Sequence, residues 1–144
     1  MIIGRTVEEL EVGQKAAFEK TISESDVYLF AGITGDLNPA HVNEVQASQT
    51  VFKGRIAHGI LTAGLISAVL AMQLPGPGSI YVSQDLRFKA PVRIGDTVRA
   101  EVEVLEVDVA RNRCRLATRC YNQDGTLVLD GEAVVMPPKR PRGG

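Results

Sequence analysis

The stretch from Ala57 to Gln73, AHGILTAGLISAVLAMQ, is apolar on every side of a helix drawn through it. A helix with no polar face has to be enclosed by protein, so the rest of the chain must supply a wrapper for this segment. The segment is slightly short for a bilayer span and stops at the turn Pro75-Gly76-Pro77-Gly78, which makes it a buried core helix. At 144 residues the chain is read as one domain. A chain of that size buries roughly 68–70% of its unfolded surface, enough for one continuous core.

After the Pro-Gly turn the hydrophobic period changes to two. Val98, Ala100, Val102 and Val104 alternate with Arg99, Glu101 and Glu103, and Cys114, Leu116, Thr118 and Cys120 alternate with Arg113, Arg115 and Arg119. Alternation of this kind marks strands with one buried face. Ser79 to Lys89 and Thr126 to Met136 complete the set, with Asp124-Gly125 as a hairpin turn. Upstream, Gln14 to Ile22 reads as a first strand. Ser23 then opens a capping box with Asp26, and an amphipathic helix runs to about Ile33 with Val27, Phe30 and Ala31 as its buried stripe. A short helical or irregular stretch is expected from Val45 to Val51. The economical arrangement is α+β: one curved antiparallel sheet wrapped around the apolar helix, in a domain spanning 1–136. Residues 137–144, PPKRPRGG, are expected to form a frayed basic tail.

Several classes of function are excluded at this level. Sixteen basic residues against 17 acidic ones give no electrostatic footprint for nucleic acid or an anionic membrane, and with no Trp there is little to stack bases on. No basic segment followed by an apolar one opens the chain, so no signal peptide is expected and a cytoplasmic location is. Cys114 and Cys120 lie on one strand, where six residues span about 20 Å, too far for a disulfide. They are read as reduced core thiols, and no second pair of ligands supports a metal.

Chemistry is concentrated in Gly35-Asp36-Leu37-Asn38-Pro39-Ala40-His41, an acid and a base five positions apart across a turn stiffened by proline. A solvated turn and an acid–base pair facing inward are both compatible with the string alone. The weight shifts towards the pair because both histidines of the chain fall near helix starts. Asn38 either orients the pair or satisfies the turn backbone. At His58-Gly59 the buried helix begins, and its unpaired N–H groups and dipole can hold a developing oxyanion, with glycine allowing close approach. Packing space is the other explanation of Gly59. Ser67, two turns along, either bonds its own helix or supports the pair. Lys53, Arg55, Arg87, Lys89 and Arg93 form a basic group: a solvated face, or contacts to the phosphates of a large anionic substrate. Arg87, Lys89 and His58 are the substrate-binding candidates.

GDLNPAH, with Phe30 upstream and Ser48 downstream, resembles the signature of the MaoC-like, R-specific enoyl-CoA hydratases of the hydratase 2 type. The likeness continues through HGILTAGLISAVL, LPGPGSIYVSQDLRFKAPVRIGD and GEAVV, nearly the whole chain. It is similar above all to the short hydratases that supply R-3-hydroxyacyl-CoA for polyhydroxyalkanoate synthesis. The resemblance implies a hot-dog fold, usually a homodimer, and an acyl-CoA substrate. It implies Asp36 and His41 as the catalytic pair, Ser67 as their support, and the Gly59 N–H as receiver of the thioester oxygen. The expected activity is reversible hydration of trans-2-enoyl-CoA, with no metal or redox cofactor and coenzyme A only as part of the substrate. A thioesterase, a 3-hydroxyacyl-carrier-protein dehydratase and a non-catalytic acyl-CoA binding module are the alternatives.

Overall fold

A computed structural model describes residues 2–141. It contains β1 (Lys15–Thr21), α1 (Glu24–Thr34), α2 (Pro39–Val42), α3 (Glu44–Ala47), α4 (Gly59–Met72), β2 (Ile80–Gln84), β3 (Arg87–Phe88), β4 (Thr97–Asp108), β5 (Arg113–Tyr121) and β6 (Leu127–Met136), after a short 3-10 turn at Val7–Glu9. The strands form one six-stranded sheet in the order β1-β4-β5-β6-β2, with β3 also paired to β6, and every pairing is antiparallel. The period-two segments β4 and β5 lie in register, Val102 opposite Thr118 and Ala100 opposite Cys120, so their apolar residues share one face. That face curves over α4, the hot-dog arrangement.

The core is where the two patterns meet. From α4 come Leu65, Ile66, Val69 and Leu70, and from the sheet Val98, Val102, Val104, Leu116, Leu129 and Val135, all buried. Each such side chain contributes about 1.5–3 kcal/mol of transfer free energy. Both thiols are buried and free, and burial pushes Cys114 up to about 11 and Cys120 up to about 12.

Two expectations change. The apolar helix is not enclosed within one chain: Ile60 and Met72 are 56% and 70% exposed, and Gly64 lies open beside them. This flank joins exposed Ile80, Tyr81 and Val82 of β2, the edge strand of the sheet. Hydropathy reports that a face is covered, not that its own chain covers it. Second, Ser79–Lys89 is broken into β2 and β3. The Asp85 carboxylate accepts the Glu132 N–H at 3.1 Å in place of a strand carbonyl, and a Cβ on Gly131 would sit 2.0 Å from the Asp85 carbonyl oxygen. A side-chain acceptor beside a glycine thus interrupts the ladder. As expected, Asp124-Gly125 turns the β5–β6 hairpin. Asn122 closes the loop, its side chain accepting from the Asp124 and Thr126 N–H groups. At the C-terminal end, Pro137 and Pro138 are buried and Arg140 bonds Glu9 at 2.6 Å, so the packed chain continues past Met136; 142–144 lie outside the described residues. Among the described residues, no helix is long and apolar enough to cross a membrane.

Candidate active site

The pair is delivered by consecutive local decisions of the chain. Ser23 caps α1, taking the Asp26 N–H at 3.0 Å while Asp26 takes the Ser23 N–H at 2.9 Å. After eleven helical residues Gly35 ends the helix at φ +83°, a left-handed conformation that glycine adopts without Cβ strain. The reversal sends Asp36 back over the helix end. Asn38 then caps α2 through Ala40 N–H at 3.0 Å, with Pro39 in the first helical position, and α2 carries His41. Asn38 thereby spends its side-chain oxygen on the backbone, one of the two roles open to it.

α4 starts on the other side of His41. Ligand atoms of Asp36, His41 and His58 lie within 4.8 Å of one another. Asp36 is exposed, His41 half-buried and His58 buried. The acid and the base are close enough for one bridging water, with Asp36 on the exposed side of the group and His58 on the buried side. His41 Nδ1 lies 2.7 Å from the Ile56 carbonyl oxygen. A carbonyl only accepts, so Nδ1 carries the hydrogen and Nε2 offers a lone pair. His58 Nε2 lies 2.9 Å from the Asp36 carbonyl oxygen and is the protonated nitrogen of its ring for the same reason. Three such groups could in principle gather a metal. Here the hydrogen bonds leave a lone pair on His41 Nε2 and another on His58 Nδ1, with the Asp36 carboxylate close to both rings, a donor set suited to moving protons.

Beside His41 opens a cavity of about 440 Å³, lined by Phe52, Ile56, Phe88, Pro91, Val128 and Leu129 among others, mostly apolar. Gly59 opens α4 onto it. No side chain caps this helix start, since His58 is turned to Asp36, so the first-turn N–H groups remain available to a ligand oxygen. A Cβ on Gly59 would lie 2.4 Å from the Phe88 ring, so glycine is required here by close approach.

The basic group does not act together. Arg55 is held by Glu24 at 2.7 Å, Glu44 at 3.1 Å and the Tyr28 hydroxyl at 3.0 Å. Arg93 bonds the Phe52 carbonyl, and Arg87 pairs with Asp85 at 3.4 Å and Asp130 at 3.6 Å. Of the five only Lys89 lines the cavity. His58, a substrate-binding candidate by sequence, is 2% exposed and bonded to the loop instead. Ser67 is half-buried, about 12 Å along the axis from Gly59 by helical rise, with no hydrogen bond to its own helix among the described residues. The sequence reading missed Phe52, Phe88 and Thr62. An apolar residue in a loop, another in a two-residue strand and a helix hydroxyl carry no spacing signal that separates cavity wall from core.

A curved sheet around a helix, with an acid–base pair and an open helix start at one cavity, defines a hot-dog domain built for proton transfer next to a polarised oxygen. The chain belongs to the MaoC like domain family, whose pattern matches residues 7–122. It is 58% identical over 133 residues to the (R)-specific enoyl-CoA hydratase of Rhodospirillum rubrum, covering 92% of both chains. It is 57% identical to the 3-hydroxybutyryl-CoA dehydratase of Methylorubrum extorquens, over 92% of this chain and 84% of that one. Among solved structures, the unliganded R-hydratase PhaJ1 from Pseudomonas aeruginosa superposes with a TM-score of 0.90 at 50% identity, covering 96% of this chain and 89% of that chain.

Proposed function

We propose that this protein adds water to trans-2-enoyl-CoA to give (R)-3-hydroxyacyl-CoA, reversibly, and that Asp36 and His41 are its catalytic pair. The observation that carries the reading is the gathering of the Asp36 carboxylate and the His41 ring within 4.8 Å, with the His41 Nδ1 hydrogen spent on the Ile56 carbonyl at 2.7 Å, beside an uncapped helix start. A water between carboxylate and imidazole has two acceptors for its hydrogens. Its oxygen bonds to the β-carbon as the double-bond electrons move towards the thioester oxygen. The Gly59 N–H and the positive end of α4, equivalent to about half a charge, receive that oxygen. The proton taken by Asp36, and shared with His41, returns to the α-carbon from the same side. No step requires a metal or redox cofactor. We assign Lys89, at the cavity wall, to the anionic end of a coenzyme A thioester and Ser67 to a supporting role, while Asn38 supports the pair through the cap that starts α2.

A second copy of the chain is assigned to the open face. Ile60, Ala63 and Gly64 of α4 line one shallow depression with Tyr81 and Val82 of the edge strand β2, an exposed apolar surface beside an unpaired sheet edge, and edges of this kind are closed by pairing. A homodimer would enclose α4 as its composition demands. Crotonyl-CoA, followed by loss of the conjugated enoyl absorbance, by free thiol and by chiral analysis of the product, tests the activity. Absorbance falls without thiol release and the product is R. Thiol release would make the protein a thioesterase.

A further inference from the structure

We propose that His58 is a positioning residue of the acid–base pair, holding the Asp36 loop by its Nε2–H and His41 by its ring face. This rests on the reading of Asp36 and His41 as the reacting pair.

The loop needs such a holder. Within Gly35–Asn38 the other hydrogen bonds are local: Gly35 N–H to Ala31 at 2.9 Å, Asp36 N–H to the Thr34 hydroxyl at 3.2 Å, Leu37 N–H to Gly35 at 3.1 Å, and Asn38 N–H to the Asp36 carboxylate at 3.3 Å. The Asp36 carbonyl to His58 Nε2, 2.9 Å across 22 residues, is the bond that ties this turn to the body of the protein. The same ring stacks on His41, with centroids 3.8 Å apart and planes at 27°, and Phe30 of α1 closes its other side at 4.7 Å. One buried side chain therefore touches both halves of the pair, the backbone of the acid and the ring of the base.

The ring is fixed on every side. His58 is 2% exposed, its Nε2–H is spent on the Asp36 carbonyl, and its Nδ1 has no hydrogen-bond partner among the described residues. The groups gathered around it are Asp36 and His41, with Phe30 from α1, and Thr62 lies one turn along α4 with its own hydroxyl unpartnered. Using His58 this way also explains why it does not cap its own helix, leaving those N–H groups for substrate.

The wild-type protein provides the first test, by nitrogen-15 NMR of its two imidazoles. His58 should carry its hydrogen on Nε2, donated to the Asp36 carbonyl, and a hydrogen on Nδ1 instead overturns the proposal. Variants provide the second, with crotonyl-CoA as substrate. His58→Phe keeps the ring and loses the donor; His58→Gln keeps a donor and loses the ring. His58→Phe should lower kcat tenfold or more with KM within about threefold. His58→Gln should recover part of that loss, because it keeps a donor for the Asp36 carbonyl. A raised KM with unchanged kcat would return His58 to substrate binding, and unchanged kcat in both variants, or no recovery in His58→Gln over His58→Phe, would leave it a packing residue. Failure of the wild type to hydrate crotonyl-CoA would instead sink the functional reading while leaving the tautomer result standing.

Discussion

The flank of α4 that faces the sheet and the amino end of the same helix follow opposite rules. Along the flank, Thr62, Leu65, Ile66, Val69 and Leu70 are buried against apolar strands, and shape complementarity decides everything. At the amino end an exposed carboxyl, a half-buried imidazole, a buried imidazole with a bare nitrogen and an uncapped turn of N–H groups are gathered together. Such an end is poor for stability and good for chemistry, because polar groups left without internal partners are the ones a substrate can engage. The helix is a rigid post that carries a reactive tip.

Substitutions can break this contrast. Asp36→Ala or His41→Ala should lower kcat by about 10²–10⁴ while leaving the melting temperature nearly unchanged, as read by steady-state kinetics and thermal unfolding. On the flank the pattern inverts. Ile66→Ala should cost about 2–5 kcal/mol in denaturant unfolding, since Ile66 is completely buried, and activity per folded molecule should survive. Between the two lies Gly59→Ala. The added methyl collides with Phe88 and displaces the helix start, so kcat should fall by an amount comparable to losing one oxyanion donor, about 10²–10³-fold. Pairing it with Phe88→Ala should restore part of that loss, which separates steric displacement from loss of the N–H itself.

Most of the flank was legible in the sequence and much of the tip was not. Alternation in Val98–Val104 and Cys114–Cys120, and the absence of a polar face in Ala57–Gln73, report burial directly, because solvent is what those patterns respond to. Ser23 and Asp26 announced the start of α1 because a capping box is a local arrangement. The tip depends on long-range geometry. Nothing in the spacing of His58 says whether it points to a substrate or back at a carbonyl 22 residues earlier, and the charge of Arg55 does not reveal that Glu24, Glu44 and Tyr28 already engage it. The break of the Ser79–Lys89 strand at Asp85 is hidden for the same reason, since the group that breaks it is an N–H on β6.

Smaller effects sharpen the comparison. Val82→Arg should convert a dimer to a monomer in light scattering while the flank residues keep each subunit folded, since Val82 is 47% exposed on the sheet edge. Ser23→Ala should cost about 1 kcal/mol by removing the cap that starts the helix leading to the loop. Acid should act on that cap as well. The Ser23 backbone N–H, then Lys20, holds the Asp26 carboxyl below the usual carboxylate range, so its contribution is present above the unfolded pKa and disappears as pH falls through the lowered one. Asp26→Asn should flatten that part of the acid unfolding curve.

Hydration of crotonyl-CoA in deuterium oxide, with the product resolved by proton NMR, tests most directly whether one water shared by Asp36 and His41 supplies both new bonds. The account predicts a single diastereomer, with deuterium on the α-carbon on the same face as the new β-hydroxyl. Anti addition, or deuterium spread over both faces, would contradict it.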